Sequence, residues 1–403
     1  MQGGIEIYFL LLLAVIAGWI LGRVGRRAAS ASSSSRVQKD PVKELFADYF
    51  VGLNYLLNDE PDEAIDTFIN ALEINSETIE THLALGALLR RRGKVDKAIR
   101  VHQILLARPG MPQHFIDATR LQLATDYIAA GLLDRAERLL NEILEEGTES
   151  RWDALNHLIT IYQTEKEWHK AVDASRQLFA NSGYQKDKAL HARAAHYCCE
   201  IAQEQFESRR FNESKDWIKK AFAFDRRSIR ATLLLADIEQ RLGNHRAALR
   251  ELLRVCKNDV RFAGHVLPAL ERCYEQLEER RDYERTLREL LGQGDDEQLV
   301  LALTRQIHST EGEANAIQFL GRQLEKSPHL AGLLAMLRLQ IPMAEGELKS
   351  NLHKLQSMLE SVLSHVPHFR CEQCGYEEKS LSWLCPSCKQ WDGMKPVANS
   401  KSN

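Results

Sequence analysis

The chain has 403 residues, 44% of them apolar and 27% charged, with a formal net charge of −3. That length admits two or three domains or one extended repeat array, and the near-neutral charge excludes the strong positive field of a nucleic-acid-binding protein. Only 10 prolines are present, most at expected helix ends, and the richness in Leu, Ala, Glu and Arg points to an all-α body.

The first element is an apolar run from Ile5 to Gly22, interrupted only by Glu6 near its outer end. Eighteen helical residues reach about 27 Å, enough for the hydrocarbon core of a bilayer. A cleaved secretory signal is the competing reading, and it needs basic residues before the apolar run. None stands there; Arg23, Arg26 and Arg27 come after it. Residues 1–24 therefore read as a single-pass transmembrane anchor. Positive residues stay on the cytoplasmic side, so the N-terminus faces outward and the body lies in the cytoplasm; in a bacterium that means the inner membrane, with the N-terminus in the periplasm. The reducing cytoplasm keeps thiols free for metal. Residues 25–42 are rich in Ser and Ala and read as a flexible cytoplasmic linker, with a reach of roughly 20 Å over the stretch 28–40.

From residue 43 to 364 the chain repeats. The stretch VGLNYLLNDEPDEAIDTFINALEINS from Val51 aligns with LGALLRRRGKVDKAIRVHQILLARPG from Leu85, so that Gly52 recurs as Gly86 and Ala64 as Ala98. A period of 34 with small residues at fixed places resembles the tetratricopeptide repeat, a helical hairpin that buries its apolar face only by stacking on its neighbours. The pattern drifts through Ala124, Tyr127, Gly131 and Ala136, then Tyr162 and Ala171, then a weaker unit around Ala221. It is clear again at Ala236, Gly243 and Ala248, poor from Pro268 to Pro328, and ends near Leu363. About nine hairpins fit, forming a superhelical solenoid with a groove for a protein segment. Repeats that clamp a carboxylate place Lys and Asn on that groove; Tyr49, Leu53, Leu83 and Ala87 stand there instead, and the clamp is absent. Trp152, Trp168 and Trp217 read as core.

The last element, 365–398, holds half of the eight cysteines. Cys371-x2-Cys374 and Cys385-x2-Cys388 present two pairs of thiolates that complete one tetrahedron. Gly375 suits a left-handed turn after the first pair, and Pro386 stiffens the second. All four coordination positions are filled, which excludes hydrolytic metal catalysis. Zinc and iron fit four thiolates equally. The turns C-x-x-C-G-Y and C-P-x-C resemble rubredoxin knuckles, which hold one iron, although Lys389 stands where rubredoxins place Gly and the spacer is short. The short form also resembles zinc ribbons; the overall match favours iron. His365 and His368 read as hinge residues rather than ligands, and Cys198, Cys199, Cys256 and Cys273 as buried apolar side chains. No phosphate-binding loop, H-E-x-x-H or nucleophile elbow is present, so the chain reads as a non-enzyme.

Taken in order, the anchor, the first repeat segment from Tyr49 to Asn75 and the CEQCG…CPSC pattern resemble the lipopolysaccharide assembly protein B family of Gram-negative bacteria. The resemblance implies a regulator that helps a membrane-bound ATP-dependent protease degrade the deacetylase committing precursor to lipid A, alongside other lipopolysaccharide assembly proteins. Cys371, Cys374, Cys385 and Cys388 would hold the metal, and the knuckle would dock on the array. A scaffold for an envelope assembly complex and a rubredoxin-type electron carrier remain as alternatives.

Overall fold

The structure, a computed structural model, describes residues 78–294 and 296–397 together with positions 51, 52, 54, 55 and 67. The anchor, the linker and most of the first repeat lie outside the described residues. Among the described residues no helix is long and apolar enough to cross a membrane. The chain divides into two compact units, residues 1–130 and 131–403.

In the first unit, α1 (Ile79–Arg91), α2 (Val95–Leu106) and α3 (Gln113–Ala129) pack together. The small residues that set the repeat are what let them approach. Gly86 on α1 is buried, and the His102 ring of α2 fills the space where a side chain would stand. Ala98 and Ala124 are fully buried. A polar cluster ties the three helices. His102 Nδ1 donates to Asp126 Oδ2 at 2.5 Å, Arg90 Nη1 to Asp126 Oδ1 at 2.6 Å, and Arg90 Nη2 to Gln122 Oε1 at 2.9 Å.

The second unit continues as α4 (Leu133–Glu146), α5 (Arg151–Glu165), α6 (Trp168–Leu178), α7 (Lys188–Glu207), α8 (Phe211–Phe224), α9 (Ile229–Arg241) and α10 (His245–Asn258). After a 3-10 turn at Val260–Phe262 come α11 (Ala263–Gln276), α12 (Arg280–Leu291), α13 (Glu297–Glu311), α14 (Glu313–Lys326), α15 (Leu330–Gln340) and α16 (Gly346–Leu363). The alanines read as small repeat positions, Ala136, Ala171, Ala221, Ala236 and Ala248, are all fully buried. Side chains one repeat apart join successive hairpins: Tyr197 Oη donates to Gln163 Oε1 at 2.8 Å, and Arg246 Nη2 to Glu279 Oε1 at 2.7 Å. Asp187, Ser228 and Asp296 accept from first-turn amides and start α7, α9 and α13.

Five hairpins turn in the same way, after α1, α5, α7, α9 and α11. The residue two places before the second helix takes a left-handed φ, and the next amide bonds back to a carbonyl five residues earlier, as in a Schellman end. At Gly93 and Gly243 this suits the residue. At Lys166, Arg209 and Glu278 a residue with a Cβ holds the same conformation, φ 59–60°. These three positions explain why the pattern fades in sequence while the hairpin persists. Glu278→Gly is expected to stabilise the second unit by about 0.5–1 kcal/mol by relieving the left-handed penalty, seen as a higher urea midpoint at unchanged slope.

Pro268, where the repeat match turns poor, sits inside α11. The expectation that Trp152, Trp168 and Trp217 are all core needs correction. Trp168 is buried in the core, whereas Trp152 and Trp217 are only half-buried; Lys220 Nζ lies 3.4 Å over the Trp217 ring. Their outer edges face solvent because each lies at the border of its helix's apolar stripe. The chain ends in a three-stranded antiparallel sheet of order β2-β1-β3, with β1 Phe369–Cys371, β2 Glu377–Glu378 and β3 Met394–Pro396.

Candidate metal centre

The sheet serves to aim sulfur. Cys371 ends β1 and Cys374 follows in the turn toward β2. The Cys371 carbonyl accepts from the Gly375 amide at 2.9 Å, while the Cys371 amide donates to Tyr376 O at 2.8 Å. The second turn repeats this: Lys389 N donates to Cys385 O at 3.0 Å, and Cys385 N to Gln390 O at 3.0 Å. Both turns need a left-handed residue after the second cysteine. Gly375 provides it at φ 77°, and Lys389 adopts it at φ 57° despite its side chain.

The four sulfurs meet. Cys371 and Cys388 Sγ are 3.7 Å apart, as are Cys374 and Cys385 Sγ, and all four lie within 4.8 Å of one another. A tetrahedron with metal–sulfur bonds of about 2.3 Å has edges of about 3.8 Å, so the cluster is already the size of one coordination sphere. Cys371 and Cys385 are buried, and Cys374 and Cys388 form the exposed edge. The Tyr376 amide beside Cys374 holds its thiol down to about 6. At Cys388 the Gln390 amide pulls the same way, but the neighbouring thiols push it up to about 12. Four thiolates this close need a cation among them. Cys371, Cys374, Cys385 and Cys388 are positioned to bind one metal ion, which would supply a fixed cross-link between the two turns. A Cβ at Gly393 would lie 2.9 Å from Cys371 Sγ. Gly393→Ala is therefore expected to weaken metal binding by roughly 10–100-fold, measured by competition with a chromophoric chelator.

Neither His365 nor His368 joins the cluster. His365 Nδ1 bonds Ser361 O at 2.8 Å, and the His368 backbone pairs with Glu378 and Val397. The other four cysteines are buried, and burial pushes the thiols of Cys198, Cys199 and Cys256 up to about 12. Leu83 and Ala87, at the expected clamp positions of α1, are half-buried.

The module is seated on the repeat helices of its own unit. Trp391 stacks on His196 of α7 with centroids 4.7 Å apart, and meets Tyr197 and Trp168 edge-on at 6.0 and 6.4 Å. Its Nε1 donates to Gln163 Oε1 at 2.9 Å, the atom that also accepts from Tyr197. Asp392 Oδ2 lies 2.9 Å from His196 Nε2. Burial raises the Asp392 carboxyl, but the His196 bond and the nearby positive charges outweigh it and hold the group below its ordinary range. On the other flank Trp383 stacks on Phe262, nearly parallel at 6.2 Å, and Arg261 Nη1 donates to Glu372 Oε1 at 2.7 Å. None of these contacts was singled out in the sequence. Only the two tryptophans bracketing CPSC offered a signal, as large apolar surfaces in a module too small to bury them.

The described chain is thus a protein of helical hairpin repeats carrying a four-thiolate metal module locked onto them. A family model described as a rubredoxin metal binding domain matches residues 369–396. The chain is 32% identical over 395 residues to lipopolysaccharide assembly protein B of Escherichia coli (strain K12), covering 98% of each. It is 34% identical over 410 residues to the protein of that name from Haemophilus influenzae, covering 99% of this chain and 100% of the relative. The chain belongs to the lipopolysaccharide assembly protein B family. Among solved structures, a tetratricopeptide repeat protein from Parabacteroides merdae is 12% identical, with 71% of this chain and 100% of that one covered and a TM-score of 0.34. The MamA protein is 19% identical, covering 48% and 98%, also at 0.34.

Proposed function

We propose that the chain is a non-enzymatic inner-membrane adaptor that tunes lipopolysaccharide synthesis. It brings the lipid A-committing deacetylase to a membrane-bound ATP-dependent protease. In this reading residues 5–22 span the membrane with the N-terminus periplasmic, and the repeats and metal module face the cytoplasm. Family membership over nearly the whole chain supports a role in lipopolysaccharide assembly. The observation that carries the adaptor reading is the closed, docked metal module: its four ligands leave no open position, and its tryptophans are spent on the repeat helices. Such a site shapes a binding surface rather than turning over a substrate. Iron is the proposed occupant, on the likeness to rubredoxin, with zinc the alternative; metal analysis with visible absorbance separates them.

The test is the half-life of the deacetylase in cells carrying the Cys371→Ser, Cys374→Ser chain at normal abundance and membrane insertion. A several-fold longer half-life is expected. Unchanged turnover would remove the adaptor reading. It would favour the second one, a scaffold for an envelope assembly complex, which the relatives' name supports. A red protein that cycles reversibly with reductant would point instead to electron transfer through the exposed Cys374–Cys388 edge.

A further inference from the structure

In the second unit a cavity of about 420 Å³ opens between α9, α11 and the metal module, within the size range of ligand sites. Leu233, Pro268 and Trp383 give it apolar walls, and Asp237 and Arg272 bring opposite charges to it. Trp383 is stacked on Phe262 yet only half-buried. His265 and Pro268 also line a neighbouring cavity of about 430 Å³, between α11 and Phe369 of the module. The two meet at these residues and make a long cleft rather than a compact hole, with repeat helices on one side and the module on the other. His265, Pro268, Ala269 and Arg272 follow one face of α11 for about 10 Å, the length of about three extended residues.

Several polar groups of the cleft already have partners. Arg230 Nη1 donates to Glu200 Oε1 at 2.8 Å, Arg261 bonds Asp259 and Glu372, and Asp296 caps α13. Among the described residues, Asp237, Arg272 and Lys379 have no hydrogen bond or ion pair. Two of these three are cations, an excess that favours an acidic occupant. Asp237 and His265 are open to solvent yet crowded by protein. Burial raises the Asp237 carboxyl above its ordinary range, against the pull of Arg272 and Arg241, and lowers the His265 imidazole. Groups that are reachable and desolvated at once belong to a concave site.

A phosphate-bearing polymer would meet Asp237, Asp296 and Glu297 along this path and be repelled. A polypeptide suits it better. Its main chain offers N–H donors and C=O acceptors in alternation, which a carboxyl and a guanidinium can hold, while its side chains reach the apolar walls. We infer that the cleft takes an extended acidic segment of a partner protein, with an apolar side chain against Trp383 and Pro268, a carboxylate on Arg272 and a main-chain amide on Asp237. In the adaptor reading, on which this rests, the deacetylase supplies the segment. The metal module then has a direct part in recognition, because Trp383 is one wall of the site.

The test titrates the full-length chain in bilayers with the whole deacetylase, with short fluorescent peptides tiling it, and with peptides tiling this chain itself. An acidic deacetylase peptide should bind, and Arg272→Glu should weaken it at least about tenfold. Changing the acidic residue of that peptide to Lys should restore binding to the Arg272→Glu chain. Trp383→Ala should weaken the original peptide as well, with retained metal as the check that the module is intact. Arg272 is exposed and unbonded, so its variant should keep the circular dichroism of the unsubstituted chain. Equal binding by Arg272→Glu and the unsubstituted chain would overturn the inference and leave the adaptor reading standing. So would binding of the whole deacetylase without any of its peptides. Tighter binding by a peptide of this chain would make a second copy the occupant and overturn it too. If neither the deacetylase nor its peptides bind, the adaptor reading itself falls, and this site with it.

Discussion

Replacing both buried ligands, as Cys371→Ser with Cys385→Ser, is expected to lower bound metal from one equivalent to below about a tenth and to unfold residues 369–396. The module's apolar cluster is only Phe369, Cys371, Cys385 and Met394 with Leu381 beside them, far too little to pay for ordering 28 residues. Metal binding in comparable four-ligand modules contributes about 10–16 kcal/mol, which is folding free energy here. The loss should reach the repeats. Without the module, His196 and Tyr197 lose the Trp391 ring and Gln163 loses one of its two donors. Hydrogen exchange should therefore accelerate in α5 and α7 and stay unchanged in residues 78–130. Retained protection of α7 in the metal-free chain would show that the module is held by its own packing.

The second large effect lies in the first unit. Asp126→Ala is expected to destabilise α1–α3 by about 3–5 kcal/mol, because it strands the Arg90 guanidinium and the His102 ring in the interior. Asp126 and His102 have side chains with no exposure, and that of Arg90 is 17% exposed. Removing all three polar side chains together, as Arg90→Met, His102→Leu and Asp126→Leu, should cost far less, since no unpaired group remains. The contrast is measurable by urea unfolding with exchange of the α1–α3 amides as the probe. A triple variant as unstable as Asp126→Ala would mean that shape, not charge, holds the three helices.

The cysteine spacing was legible because metal geometry acts over four residues at a time, and the four sulfurs meet as that spacing requires. The alanines of the repeats were legible for a similar reason: each must be small wherever two helices cross. What the sequence hid is long-range or backbone-borne. Trp391 meets Gln163 across 228 positions, and nothing local to either residue marks the other. Lys166, Arg209 and Glu278 perform a glycine's task, so the turn signal is lost where the turn is not. Arg90, His102 and Asp126 meet only because three helices place them together, and nothing local to one of them marks the other two.

A simple stack of hairpins frays from its free end, because each hairpin is held only by its neighbours. The bond from Trp391 back to Gln163 changes that topology by tying the last segment to a helix far upstream. Residues 163–391 become a closed ring, and opening any hairpin within it must either stretch the ring or first unfasten the clasp. Pulled by its C-terminus, such a ring resists until the clasp fails and then unravels at once, whereas an open stack yields one hairpin at a time.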